Sequence, residues 1–268
     1  MNSRPATALL ATATLLFLAG CTGDPTDGVP EPSASASPGE SSPVATTDAP
    51  EPSGSEEPAA SGIVECEPFV LAEGGQVPGA VVGDCVAAAM VAAGTGVQRV
   101  DSSDGTSSVV QFRWDPDYAM SIDGDQQVVI EGDTGWVQVP GSGWIQADPG
   151  SSDPQVVMAT SIVQLVRAFS DPRMLAEGFG QAESWTIVEE TDVPVEDAVA
   201  DTAWLLQPEG GILPLGDITV TDVELWLRSD YLGVYTVGTG SYAGVSVTTS
   251  NTFLEWGEPV EIPDPSQD

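Results

Sequence analysis

Residues 218–249 read ITVTDVELWLRSDYLGVYTVGTGSYAGVSVTT, and the period of this stretch decides the fold. In the run from Ile218 to Arg228, Val223, Leu225 and Leu227 face one way while Glu224, Trp226 and Arg228 face the other. A strand of this kind has one buried and one wet face. Two more strands follow, at Tyr231 to Val237 and at Ser241 to Thr249.

Working toward the N-terminus, strands are expected at Trp185 to Glu190 and Val199 to Leu206. Two helices precede them. Asp153 and Pro154 form a cap and first-turn pair ahead of Val156, Ala159, Val163, Val166 and Phe169, which recur at helical spacing. Asp171 and Pro172 repeat the device for a shorter helix ending near Phe179. Earlier still, Val97 to Val100, Ser108 to Tyr118, Gln126 to Glu131 and Gly135 to Val139 alternate with period two. Asp104-Gly105, Asp123-Gly124 and Gly132-Asp133 separate them as hairpin-type turn pairs, which makes an antiparallel meander. Before the meander, Asp84 caps a short buried helix from Cys85 to Ala93, closed by Gly94. The sum is an α+β fold, a long curved antiparallel sheet packed on a few helices.

This domain occupies residues 63–268 and is preceded by two segments of different character. Residues 1–20 read as a bacterial lipoprotein signal peptide: one positive charge at Arg4, an apolar run from Ala8 to Ala19, then Leu18-Ala19-Gly20-Cys21, which matches the lipobox. Cys21 is therefore the expected lipidation site and first mature residue. Acyl chains contribute about 0.8 kcal/mol per buried methylene, enough to hold the chain on the extracytoplasmic face of the cell membrane. Residues 21–62 are Pro, Ser, Ala, Thr, Gly, Asp and Glu with almost nothing large and apolar to bury. Such a segment is expected to be a disordered acidic tether with a reach on the order of 35 Å. With Cys21 committed to lipid, Cys66 and Cys85 remain as an even pair in an oxidising compartment, and a disulfide between them is expected.

Composition restricts the chemistry. The chain has no His, a formal net charge of -35 and 41 acidic residues, and its six cationic side chains are all arginine. Nucleic acid is repelled. Without His or Lys the usual general bases, the Schiff-base nucleophile and the commonest metal ligand are missing, so no enzyme, catalytic residue, metal or cofactor is expected. Asp133-Thr134-Gly135 is the tripeptide of aspartic proteases, with Asp201-Thr202-Ala203 as a degenerate second copy, but a hairpin turn and a strand edge account for them. Asp115, Asp117, Asp123 and Asp125 cluster without the spacing of a calcium loop. The seven tryptophans read as core and sheet-face anchors rather than a sugar platform, with Trp136 and Trp144 on neighbouring hairpin arms as the pair that could stack on a ligand.

Several phrases carry a resemblance: Glu131-Gly-Asp-Thr-Gly-Trp136-Val, Trp144 with Asp148-Pro149, Val223-Glu-Leu-Trp226-Leu, and Trp256-Gly-Glu-Pro259-Val-Glu-Ile262-Pro. With the order of elements, they make most of Cys66 to Pro263 resemble the LolA-like lipoproteins, especially the LppX/LprG type of actinobacterial envelope lipoprotein. The resemblance implies a half-barrel sheet whose concave face, closed by helices, binds or carries a lipid or acylated glycan. Candidate cavity residues are Leu225, Leu227, Val245 and Val247 on the sheet, with Val163 and Val166 on the covering helix. Arg167 and Arg173 are the basic residues near the expected mouth. The alternative is a protein-interaction or sensor module of the cell envelope with a solid core, its protein partner unspecified.

Overall fold

The computed structural model describes residues 62–265, apart from 216–217 and 243–244. The expected signal peptide, Cys21 and the expected tether up to residue 61 lie outside the described residues. Three α-helices and thirteen strands are described. The first half holds β1 (Gln76–Pro78), α1 (Gly79–Ala93), β2 (Thr95–Ser102), β3 (Ser107–Arg113), β4 (Ala119–Gly124), β5 (Val128–Glu131), β6 (Thr134–Val139) and β7 (Gly143–Gln146). Then come α2 (Pro154–Ser170), α3 (Pro172–Gly180), β8 (Ser184–Asp192), β9 (Thr202–Pro208), β10 (Ile212–Leu215), β11 (Ile218–Leu227), β12 (Gly233–Tyr242) and β13 (Val245–Trp256). Among the described residues, no helix is long and apolar enough to cross a membrane.

All thirteen strands form one open antiparallel sheet, ordered β1-β8-β9-β11-β12-β13-β2-β3-β4-β5-β6-β7, with β10 beside the first half of β11. Two meanders are thus joined where the last strand, β13, pairs with β2. Core side chains from helices and strands form one cluster, including Val86 and Met90 of α1, Val163 and Val166 of α2, Phe179 of α3, and Phe112, Ile130 and Leu225 of the sheet. A disulfide joins Cys66 to Cys85 and fastens the entry of the domain to α1.

The caps at Asp153 and Asp171 and the turns at Gly105 and Gly132 act as expected. Asp153 accepts hydrogen bonds from the Gln155 and Val156 N–H groups at 2.9 and 3.4 Å, and Asp171 accepts from Arg173 N–H at 2.9 Å. Gly105 and Gly132 take positive φ in the turns that join β2 to β3 and β5 to β6.

Four expectations change. First, α1 starts at Gly79 rather than Cys85, which puts Asp84 inside the helix. Gly79 and Gly83 disfavour a helix by propensity but are needed for close approach to α3 and the turn after it. A Cβ at these positions would lie 2.0 Å from the Ala182 carbonyl oxygen and 2.2 Å from that of Ala176. Second, the run from Ser108 to Tyr118 is not one strand, because Pro116 has no N–H for the ladder, and β4 restarts at Ala119. Asp123-Gly124 then ends β4 instead of forming the turn, and Gly124 leaves room for Ser108, whose Cβ would be 2.7 Å from an added Cβ.

Third, the run from Ser241 to Thr249 belongs to two strands that fold back on each other, with Ser241 opposite Ser246 and Tyr242 opposite Val245. Fourth, the face that carries Trp226 is not wet. Trp226 is only 4% exposed and packs with Ala203, Val234 and Tyr235 under Val193, Val195, Ala198, Val199 and Ala200 from the β8–β9 connection. Val199 lies in that connection rather than at a strand start, and its N–H donates to the Phe253 carbonyl at 2.8 Å.

Candidate functional site

Register places the inner face of the sheet. Leu225 of β11 stands opposite Thr236 of β12, which stands opposite Asn251 of β13, which stands opposite Val100 of β2. Paired residues share a face, so these four form a row across the sheet. Gln98, two residues from Val100, belongs to the same face and pairs with Phe253.

Above this row the helices leave a cavity of about 60 Å³. Its helical wall is Val86 and Met90 of α1, Ser170 of α2, and Leu175 and Phe179 of α3. Its sheet wall carries Gln98, Phe112, Met120, Leu225, Thr236, Asn251 and Phe253. An aromatic group closes one side: Phe112 and Trp114 have ring centroids 4.4 Å apart, and Trp256 stacks on Phe253 at 4.9 Å. Gly96 permits this packing, since a Cβ there would meet the Phe112 ring at 2.5 Å.

Trp114 also faces outward, into an open groove of about 1500 Å³ along the exposed side of α1. The groove runs past Ala80, Asp84, Ala87 and Val91 and is bounded on the other side by Arg167, Asp171 and Arg173. Between groove and cavity lies a small polar latch. Trp114 Nε1 donates to the Ser170 carbonyl at 3.3 Å, and the Tyr118 hydroxyl is hydrogen-bonded to Ser170 Oγ. Arg167 lies over the Tyr118 ring at 5.6 Å and reaches Asp133 at 3.8 Å. Burial pushes the Tyr118 phenol above its ordinary value, with the Ser170 hydrogen bond and Arg167 opposing.

Of the six residues expected to line a cavity, Leu225 does so. Leu227, Val163 and Val166 are buried in the core, with Val163 packed on Gly135 of β6. Val247 is buried as well, but Val245 is 48% exposed at the start of β13, so the six do not share one inner surface. Arg167 and Arg173 stand at the groove, on the side where a mouth was expected.

The other sequence candidates fall apart in space. Asp133 is in the β5–β6 turn and Asp201 precedes β9, with β11, β12, β13, β2, β3 and β4 between them. Asp115 and Asp117 precede β4, whereas Asp123 and Asp125 are at its far end, where Asp123 accepts from Gln127 Nε2 at 3.0 Å. Among the described residues no three acidic or cysteine side chains are grouped to hold a metal ion. Trp136 and Trp144 are diagonal neighbours on the β6–β7 hairpin, both half-buried.

The chain matches no family model and no curated protein. Its site therefore has to be read from its own residues. Those that sequence reasoning passed over are Gln98, Trp114, Ser170, Thr236 and Asn251. Asn251 was within reach: continuing the period of Val247 and Thr249 along β13 puts Asn251 and Phe253 on the same inward face.

Proposed function

We propose that this chain is an extracytoplasmic lipoprotein, anchored through acylated Cys21, that binds or carries an apolar ligand such as a lipid or acylated glycan. The ligand enters between the helices and a sheet curved as a half-barrel, in the manner of the LolA-like lipoproteins that the sequence resembles. No catalytic group takes part. The observation that carries the reading is the predominantly apolar cavity beneath α1, α2 and α3, which adjoins the open groove across a single residue, Trp114.

Pockets for small ligands occupy roughly 300–1,000 Å³. The cavity holds about 60 Å³. Binding an acyl chain thus requires the helical layer to move, and the place for that movement is the latch at Trp114, Tyr118 and Ser170. Breaking two hydrogen bonds there opens the way from groove to interior. The net charge of -35 favours a neutral or cationic ligand over an anionic headgroup and argues against nucleic acid.

The small volume favours a second reading, an interaction or sensor module of the envelope whose core stays closed. Native mass spectrometry of the protein purified from its host separates the two. A co-purifying lipid supports the carrier; a clean mass for the unliganded chain, unchanged after incubation with lipid vesicles, supports the interaction module.

A further inference from the structure

The cavity wall contains neutral polar groups that the fold itself does not use. Gln98 is 7% exposed and faces the cavity, yet its side-chain amide makes no hydrogen bond to any described residue. Beside it, Asn251 is 4% exposed and donates through Nδ2 to Thr236 Oγ1 at 3.0 Å. That bond leaves the Asn251 carbonyl oxygen and the Thr236 hydroxyl proton uncommitted among the described residues. Two positions along β13 from Asn251, Thr249 is 0% exposed and its hydroxyl has no partner among the described residues. A buried polar group left unpaired is a standing penalty, and native proteins rarely retain one without a use. The Gln98 amide opens on the cavity and is left to pair with whatever fills that space, water or ligand.

We infer that Gln98, with Asn251 and Thr236, forms a recognition point for an uncharged ester or amide linkage of an acylated ligand. The inference rests on the apolar-ligand reading above and specifies which part of such a ligand the cavity reads. No ionisable side chain lines the cavity, so an ionised headgroup entering it would be desolvated without a counter-charge. A carbonyl carries no such penalty. It accepts from the Gln98 amide while the chains on either side lie against Met90, Phe112, Met120 and Phe253. Without ligand, the space suffices for a few ordered waters, which the carbonyl would displace.

The test uses the mature chain from residue 21 with Cys21→Ser, so that no acyl group of its own competes. Two probes are compared by displacement of a fluorescent apolar dye: a short-chain diacylglycerol and the matching dialkylglycerol ether, which lacks both carbonyls. The unmodified cavity should bind the diester about tenfold more tightly than the diether, as expected for one hydrogen bond to a buried group. Gln98→Met, of similar length and volume, should abolish that preference while still binding the diether; Gln98→Leu is the second variant should the first fold poorly. Equal binding of both probes by the chain with Gln98 intact, or a preference that survives both substitutions, overturns the inference and leaves the apolar-ligand reading standing. Failure to bind either probe overturns that reading itself, and the inference with it.

Discussion

Gly135 of β6 lies against Val163 of α2 so closely that a Cβ built on the glycine would be 2.4 Å from Val163 Cγ1 and 2.7 Å from Cγ2. Val163 is 5% exposed and β-branched, so it has little freedom to rotate away. Gly135→Ala should destabilise the domain by about 1–3 kcal/mol through overpacking. Val163→Ala in the same chain should recover part of that loss. Thermal unfolding of the parent and the two variants checks it, and an unchanged midpoint in Gly135→Ala would contradict the packing of α2 on β6.

The Cys66–Cys85 bridge closes a loop of 19 residues and is buried at both ends. Replacing both cysteines by Ala should remove about 3 kcal/mol on the chain-entropy account. The measurement is urea unfolding of the double variant beside the parent. The parent, but not the variant, should lose stability on adding a strong reductant.

Two buried tryptophans differ in one respect. Trp185 Nε1 donates to the Phe179 carbonyl at 3.1 Å, whereas Trp226 Nε1 is buried with no partner among the described residues. Substitution by Phe removes similar volume from each, so the difference between the variants isolates the hydrogen bond. Trp185→Phe should be more destabilising than Trp226→Phe by about 1–3 kcal/mol. Equal losses in denaturant titrations would show that the Trp226 N–H is satisfied after all.

Alkaline pH should loosen the latch. Burial raises the phenols of Tyr118, Tyr231 and Tyr235 above their ordinary 10.0. The folded chain then keeps protons that the unfolded chain releases, so stability falls as pH rises. This contribution is fully present below pH 10.0 and is lost as pH climbs through the folded values. Tyr118→Phe should lower stability at neutral pH, by removing the hydrogen bond to Ser170, and flatten the decline above pH 10.0. A decline of the same steepness in that variant would assign the effect to the other two tyrosines.

The proposed lipid anchor at Cys21 has its own test. Cys21→Ala should release the chain from membranes into the soluble fraction; full retention in the membrane pellet would mean that something other than a lipid on Cys21 holds it.

What could be read from the sequence was whatever is decided locally. Asp153-Pro154 and Asp171-Pro172 announce their helices because a cap acts within three residues, and Gly132 marks its turn for the same reason. The start of α1 was hidden because the reason for Gly79 and Gly83 lies in Ala182 and Ala176, far along the chain. Trp226 was assigned to solvent because alternation cannot know that the β8–β9 connection folds back over it. At the site, Leu225 was legible as an apolar inward residue. Gln98 was not, because a polar side chain at an inward position is ordinarily taken as facing out, and Trp114 was read as part of one strand from Ser108 to Tyr118 although β3 ends at Arg113.

The ladder between β13 and β2, with Trp256 opposite Gly96 and Thr249 opposite Ser102, sets the order in which the protein can be completed. A polypeptide threaded across a membrane from its N-terminus delivers β2 early and its neighbour almost last. Until then β2 presents bare N–H and C=O groups, and the first meander has only half a sheet to lean on. The sheet is thereby completed only when β13 becomes available, and on the export route proposed above the chain would stay slack until then. A nonsense codon before Val245 would leave two unmated borders, and such a product should be cleared or aggregate rather than persist as a smaller working domain.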